Sequence, residues 1–476
     1  MTLSPIVPLL AALAAAAPAA SAPAAAEAPA AAATSAKPAK KPAHPDNDYI
    51  KEHGYEGPKT CEVCHPGTAK AFLQTVHWKH SSKVTNVKGI DPKQEWGMKD
   101  RIYTFCNGND IVNNLKEIPV NAAGKTKITG CNSCHPGNHL SDVGSTGAEA
   151  EQAVDCLICH SSKYDHSKRK PSKTPEGKIV MGQDRSVEAA LAVGKPRIKS
   201  CMTCHESAGG GQLIKRGFAF DADHDVHAKK GMVCVDCHTA KDHKIPTGFD
   251  PNNWANDGVR LACGDCHGDK PHNDRDYDAH TAKIACQTCH IPTTGGAVAK
   301  DFTKWTKLET GFYEPSTIKR APADTKPVYA WFNGTVEAKP HLIAPVGSRT
   351  DRKSKIYPFK IYQGKAFYDR RTGQLLSMDF AQPTANGDAL AGVASAAKTL
   401  GLGKVDPVPG WQTIYFANSH LVTKEKALTC DRCHTQTGVL DFQALGYSKT
   451  EIAKRGLQSA QLWFDKLLAK ELKKEE

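Results

Sequence analysis

Hydrophobic positions along this chain form few long periodic runs. The clearest lies near the C-terminal end, where Ile452, Leu457, Trp463, Phe464, Leu467 and Leu468 recur at helical spacing. Ser448 and Glu451 stand at capping-box spacing ahead of them, which predicts a helix from Ser448 onward. Its apolar stripe predicts packing on its own domain, with a contact between two copies, a homo-oligomer, as the alternative. A second pattern, Lys355-Ile356-Tyr357-Pro358-Phe359-Lys360-Ile361-Tyr362 followed by Gly364, predicts a short strand and a turn, with Pro358 placing it at a sheet edge. Near the start, an apolar stretch around Ile6 to Ala17 leads into Ala20-Ser21-Ala22 with no charged side chain. This predicts a secretory signal over residues 1–22, since the strongly apolar run is short for a membrane anchor and rich in Pro and Ala. Residues 23–47 are Ala/Pro/Lys-rich and read as a disordered linker. No later segment is apolar for long enough to span a bilayer.

Between these patterns one short motif dominates. Cys-x-x-Cys-His occurs eight times and uses sixteen of the 17 cysteines. The copies are Cys61, Cys64 and His65; Cys131, Cys134 and His135; Cys156, Cys159 and His160; Cys201, Cys204 and His205. They continue with Cys234, Cys237 and His238; Cys263, Cys266 and His267; Cys286, Cys289 and His290; and Cys430, Cys433 and His434. This pentapeptide is the c-type haem attachment signature. Two thiols one helical turn apart each form a thioether to a haem vinyl group, and the adjacent imidazole reaches the iron from the same side. Zinc clusters and a disulfide framework also use paired cysteines, but neither calls for a histidine after every pair. The cofactor reading is therefore eight covalently attached haem c groups.

Composition sharpens this picture. Hydrophobic residues make up 40% of the 476 positions and aromatics 7%, modest for that length, so the macrocycles are expected to supply much of the core. The unligated chain is then expected to be poorly folded. Lys plus Arg exceed Asp plus Glu by 62 − 50 = 12, which about sixteen propionate charges would offset. The basic residues are dispersed and carry no recognition motif, so nucleic acid is not an expected partner. Some surplus positive charge is available to steer small anions. Haem attachment to reduced cysteines outside the bacterial inner membrane makes the periplasm the expected location, with an extracellular site as the alternative.

Seven motifs fall between Cys61 and His290, a haem-free stretch follows, and the eighth motif closes the series. The predicted organisation is a seven-haem cluster over 48–295, a haem-free excursion over 296–425 and an eighth haem with a C-terminal helix over 426–476. The motifs are expected on short helices between Gly/Pro-rich loops, in a mainly α fold with much irregular structure, a multihaem cytochrome c organised around its haems.

Each iron has a second axial position, and its occupant decides between carrier and catalyst. The 21 histidines less the eight of the motifs leave thirteen. His44 lies in the linker and is expected to stay unligated, and the rest are enough to supply a second imidazole to most or all haems. Candidate iron ligands, beside the motif histidines, are His77, His80, His139, His166, His224, His227, His243, His272, His280 and His420. His227 and His280 stand seven and six residues before their neighbouring motifs, His139 and His243 follow theirs closely, and His420 stands ten before Cys430. Spacing leaves open which histidine serves which haem.

Cys106, in Tyr103-Thr104-Phe105-Cys106-Asn107-Gly108, is the seventeenth cysteine, either a buried inert thiol or a reactive one beside a haem. Phe105-Cys106, Asp155-Cys156-Leu157-Ile158-Cys159-His160, Gly209-Gly210-Gly211, the run from Asp225-Val226-His227 to Asp242-His243-Lys244-Ile245, Ala285 to Pro292, Trp331-Phe332-Asn333-Gly334-Thr335, Lys355 to Lys360 and His420 to Cys430 resemble the octahaem tetrathionate reductase family. The resemblance runs from about Cys61 to Tyr447 and includes the haem-free stretch. It implies a mostly helical and irregular fold around closely packed haems, with one catalytic haem, that of the second motif, whose distal ligand is a lysine and which lies beside Cys106. Tetrathionate is the implied substrate, with nitrite and hydroxylamine as related ones. The family lysine sits in a Tyr-Lys-Lys setting, whereas this chain reads Ser161-Ser162-Lys163-Tyr164-Asp165-His166-Ser167-Lys168. Lys163 or Lys168 would then be the catalytic lysine, or His166 takes the position and closes the iron.

Two functions follow as expectations. One is a reductase of a small sulfur or nitrogen oxyanion, fed by an electron-donor cytochrome or a membrane quinol oxidase system. The other is a conduit in which every iron carries two histidines.

Overall fold

A computed structural model of the chain describes residues 48–97, 119–127, 134–138, 144–177, 179–206, 220–247, 254–258, 261–435 and 438–454. The signal and linker readings, Cys106, Cys131, His139 and the apolar stripe beyond Lys454 lie outside the described residues.

The expected mainly α architecture is not what the chain adopts. Its strands are β1 (Ser81–Lys83), β2 (Val87–Lys88), β3 (Glu95–Gly97), β4 (Pro171–Lys173), β5 (Ile179–Met181), β6 (Ala297–Lys307), β7 (Tyr313–Ala321), β8 (Val328–Phe332), β9 (Thr335–Lys339), β10 (Leu342–Val346), β11 (Lys355–Asp369) and β12 (Pro407–Ala417). Eight of them form one sheet in the order β2-β9-β10-β12-β11-β6-β7, with β8 added to β11; β1 with β3 and β4 with β5 make two small ribbons. The β11–β12, β9–β10, β6–β7 and β8–β11 pairs are antiparallel, and β2–β9, β10–β12 and β6–β11 are parallel. Helices, by contrast, are mostly one or two turns. Elements that short do not hold a helical conformation on their own, so packing and the covalent cofactor must fix them.

The predicted strand at Lys355 is real but longer, and it lies inside the sheet. Gly364 makes no turn; it continues the ladder opposite Lys300 and Gln412. Pro358 sits where β11 leaves β8, opposite Tyr329, and the β12 ladder begins one residue later at Phe359, so the missing N–H is tolerated away from an edge. Nearly every residue from Phe359 to Asp369 is buried, because the strand is covered on both faces. One core unites Val298, Phe302, Phe332, Val336, Ile343, Phe359, Tyr362, Ile414 and Phe416 with Val84, Val87 and Trp254. The helix Ala389–Thr399, capped by Asp388, lays Ala389 and Val393 against Phe367, Leu376 and Met378.

The sheet touches the motif-bearing region at defined points. The Ile356 carbonyl accepts from the Ala285 amide (3.0 Å) and the Thr288 hydroxyl (2.7 Å), which seats the helix Cys286–His290 on the start of β11. Beyond β12, Asn418 donates from its amide to the Pro358 carbonyl (3.0 Å) and from its side chain to the Thr293 carbonyl (3.0 Å). At the C-terminal side the capping box forms as the spacing predicts. Glu451 Oε2 accepts from the Ser448 amide (2.8 Å) and Ser448 Oγ from the Glu451 amide (3.2 Å), ahead of the helix Lys449–Lys454.

Candidate haem sites

Each fully described motif folds as a single turn. The histidine amide donates to the carbonyl of the first cysteine at 3.0 Å in His65, 3.2 Å in His160, 2.8 Å in His238, 3.0 Å in His267 and 2.8 Å in His434. That i to i+4 bond places the two thiols, three residues apart, and the imidazole, four apart, on one face of the turn.

The histidine rings then meet in pairs. His205 faces His77, His160 faces His243, His267 faces His227, His290 faces His272 and His434 faces His280, each at 6.1 Å between ring centroids; His238 faces His420 at 6.3 Å. A metal–imidazole bond runs about 2.0–2.1 Å and the ring centre lies about 1.1 Å behind the nitrogen, so two imidazoles sharing one metal have centroids about 6.2 Å apart. Six pairs at that spacing fit six hexacoordinate irons. Several rings are also oriented for the task. Nδ1 is held by the Gly194 carbonyl in His160 (3.1 Å), the Pro246 carbonyl in His238 (2.7 Å), the Thr423 carbonyl in His290 (3.0 Å), Asp225 in His227 (3.1 Å) and Asp278 in His272 (3.0 Å). With Nδ1 donating to oxygen, Nε2 is left with its lone pair for iron.

No ring serves the motif beside it in sequence. His77 follows the first motif and faces the fourth; His243 follows the fifth and faces the third; His227 precedes the fifth and faces the sixth. His272 follows the sixth and faces the seventh, His280 precedes the seventh and faces the eighth, and His420 precedes the eighth and faces the fifth. A single turn aims both thiols and its imidazole at one plate, so a histidine a few residues away points elsewhere and meets a neighbouring plate.

Several motifs are neighbours in space. The thiols of Cys61 and Cys156 are within hydrogen-bonding reach, as are Cys134 with Cys204 and Cys263 with Cys286. Cys159 acts electrostatically on Cys204, His238 on His77, Cys266 on Cys237 and Cys430 on Cys289. These neighbours link the first motif to the third, the second and third to the fourth, the ring facing the fourth to the fifth, and the fifth through eighth in succession; the second also meets the segment leading into the third, where the Asp155 amide donates to the Pro136 carbonyl (2.9 Å). A cavity of about 340 Å³ opens beside His160 of the third motif, walled by Ser162, Ala192 to Arg197 and Val233.

The second motif has different surroundings. His135 is fully buried, with Nε2 3.1 Å from the Trp78 carbonyl and the Trp78 ring 4.7 Å away. Its centroid lies 5.3 Å from that of His80, closer than any of the six pairs. Burial, then the neighbouring His80, holds His135 down at about 3, and burial, then His77, holds His80 at about 4, so both are neutral imidazoles; in His135 it is Nε2 that donates to the Trp78 carbonyl. Nδ1 of each has no hydrogen-bond partner. Behind His135, Arg169 donates to its carbonyl (2.8 Å) and pairs with buried Asp155 (3.3 Å), which also accepts from the Tyr164 hydroxyl. Sequence reasoning missed this pair; a charged Asp directly before a haem motif was its only trace.

The proposed catalytic lysines are engaged elsewhere. Lys163 Nζ is exposed and pairs with Glu188 (2.8 Å), and Lys168 Nζ pairs with Asp184 (2.7 Å). His166 is half-buried with its ring 4.8 Å from Tyr164. His224 is oriented by Asp221 (2.7 Å). His341 stacks on Tyr368 at 3.9 Å, which leaves no room for a plate on that face.

A family model described as "Cytochrome c7 and related cytochrome c" matches residues 220–291, and one described as "Cytochrome c bacterial" matches 319–437. The solved octaheme cytochrome c from Shewanella oneidensis superimposes with a TM-score of 0.66 at 26% identity, covering 88% of this chain and 100% of that one. The chain is a multihaem c-type cytochrome. Covalent haem c is the cofactor of this cytochrome. An uncharacterized protein of Archaeoglobus fulgidus is 27% identical over 239 residues, which is 43% of this chain and 80% of that protein.

Proposed function

We propose that this cytochrome is an exported, periplasmic octahaem reductase that delivers electrons to the second motif, where a small sulfur or nitrogen oxyanion such as tetrathionate, nitrite or hydroxylamine is reduced. The observation that carries the reading is the contrast between six histidine pairs at 6.1–6.3 Å and the separate environment of His135, buried against Trp78 and 5.3 Å from His80. Bound haem supplies one-electron carriers along the series and, at one iron, the site where two electrons split tetrathionate into two thiosulfates.

The protein's own part is orientation and charge. Carbonyls and carboxylates fix the ligand rings, and Arg169 anchors the His135 backbone with a buried positive charge that is felt at the second, third and fourth motifs. Cys106 and one of Lys163 or Lys168 would complete the site, the lysine after leaving its carboxylate. An electron-donor cytochrome or membrane quinol oxidase system would load the series from the other end.

The conduit reading has its own support, since His80 lies beside His135 and both lysines are held by Glu188 and Asp184. Electron paramagnetic resonance and optical spectra of the oxidised protein, with and without tetrathionate, nitrite and hydroxylamine, separate the two. A reductase gives at least one haem signal that is not bis-histidine low-spin and that changes on adding an anion. Bis-histidine signals throughout, unaltered by all three compounds, would leave the conduit.

A further inference from the structure

One short segment after β12 touches three consecutive sites. His420 faces His238 of the fifth motif. Two residues on, the Val422 amide donates to Asp225 Oδ2 (2.9 Å), while Asp225 Oδ1 takes both the amide (2.9 Å) and Nδ1 (3.1 Å) of His227, the ring facing the sixth motif. The Val422 carbonyl accepts in return from the Val226 amide (2.9 Å). Thr423 follows, its carbonyl holding Nδ1 of His290 in the seventh motif (3.0 Å) and its amide donating to the His290 carbonyl (2.8 Å). Asp225 is buried, and between His420 and Val422 stands Leu421, buried and at φ 72°, a left-handed conformation that a bulky side chain adopts only under strain. A strained residue persists where the surroundings over-determine it.

We infer that Asp225 and the Leu421 turn form one coupling element, which sets the ligand geometry of the fifth, sixth and seventh sites together. Asp225 is a positioning residue: it touches no iron, but its two oxygens tie the sixth-site ring to the backbone that carries the fifth-site ring and orients the seventh. A carboxylate on Nδ1 also raises the basicity of His227 and favours ferric iron at the sixth site. The inference depends on the histidine pairing and not on the identity of any substrate.

The ring planes make a readout available. Near-parallel imidazoles split the iron dπ orbitals and give rhombic low-spin spectra, whereas crossed planes give a single large g value. The fifth and seventh pairs are near parallel, at 22° and 7°, and the sixth is crossed, at 64°. The test is a redox titration followed by electron paramagnetic resonance, comparing the intact haem-loaded protein with Asp225→Asn. The rhombic signals are assigned by their loss in His420→Ala and His272→Ala. Their absence from the unsubstituted protein would overturn the pairing itself, a separate failure. Asn presents one oxygen and one NH2, so either His227 or Val422 loses its acceptor. The expected result is a shift of both rhombic signals together with one crossed signal, and a more positive sixth-site potential. Each tenfold loss of ferric over ferrous ligation reads as about 59 mV in a one-electron couple. A change confined to the crossed signal, or no change, overturns the coupling. If Asp225→Asn fails to assemble, Leu421→Gly keeps the backbone hydrogen bonds and relaxes the strain. It should move the same three signals, and an equal change at the remaining sites, or at none, overturns the proposal.

Discussion

The residue that decides most in the second motif's surroundings is Arg169. Its guanidinium is buried, and it both holds the His135 carbonyl and pairs with Asp155, whose carboxyl burial pushes upward against the opposing pull of Tyr164 and Arg169. Breaking a buried pair on one side leaves an uncompensated charge, so Arg169→Met is expected to cost about 3–5 kcal/mol, with Asp155→Asn milder because Tyr164 still has an acceptor. Denaturant midpoints of the haem-loaded variants check this; an Arg169→Met midpoint equal to that of the unsubstituted protein would show that the pair contributes nothing. Asp155 was visible in the sequence, but its partner fourteen residues away was not, because nothing in local spacing signals an ion pair closed by tertiary packing.

At the scale of elements, β11 carries a lysine where none is expected. Lys360 is buried, its Nζ donating to the Thr294 carbonyl (3.3 Å), and burial pushes it down to about 7. The unfolded chain holds this proton up to about pH 10.4, so between about pH 7 and pH 10.4 the unfolded state binds more protons and stability rises with pH. Below about pH 7 both states are charged and the burial penalty is felt in full. Lys360→Met should therefore raise the unfolding midpoint at pH 6 and flatten the rise from pH 7 to 10, measured by denaturant titration at each pH. A steeper rise in the variant would contradict this. The strand itself was legible from Ile356, Phe359 and Ile361, but its length and interior place were not. A strand buried on both faces loses the alternation that marks its extent.

Across the whole molecule, two kinds of order coexist. The sheet has its own side-chain core, whereas the motif helices are three to eight residues long and depend on cross-pairing of ligands. Protein made without haem attachment is expected to keep protease protection over residues 297–417 and to be cut rapidly between about 58 and 290. Mass spectrometry of limited digests measures this, and uniform resistance across the chain would show that the cofactors are dispensable for order. The interlocked pairing also implies that losing one distal ring disturbs the segment flanking a second motif as well as its own iron.

By itself, the sequence determined the chemistry of attachment: an i, i+3, i+4 pattern of two thiols and an imidazole is complete within one helical turn, so eight pentapeptides suffice to specify it. It also determined the capping box at Ser448 and Glu451, which is equally local. What only the tertiary structure decided is which histidine meets which motif, which motifs are neighbours, and the sheet between the seventh and eighth. His243 stands five residues beyond His238 and faces His160 instead. Such pairings depend on where distant turns are brought together, and that is fixed by packing between segments rather than by spacing along the chain.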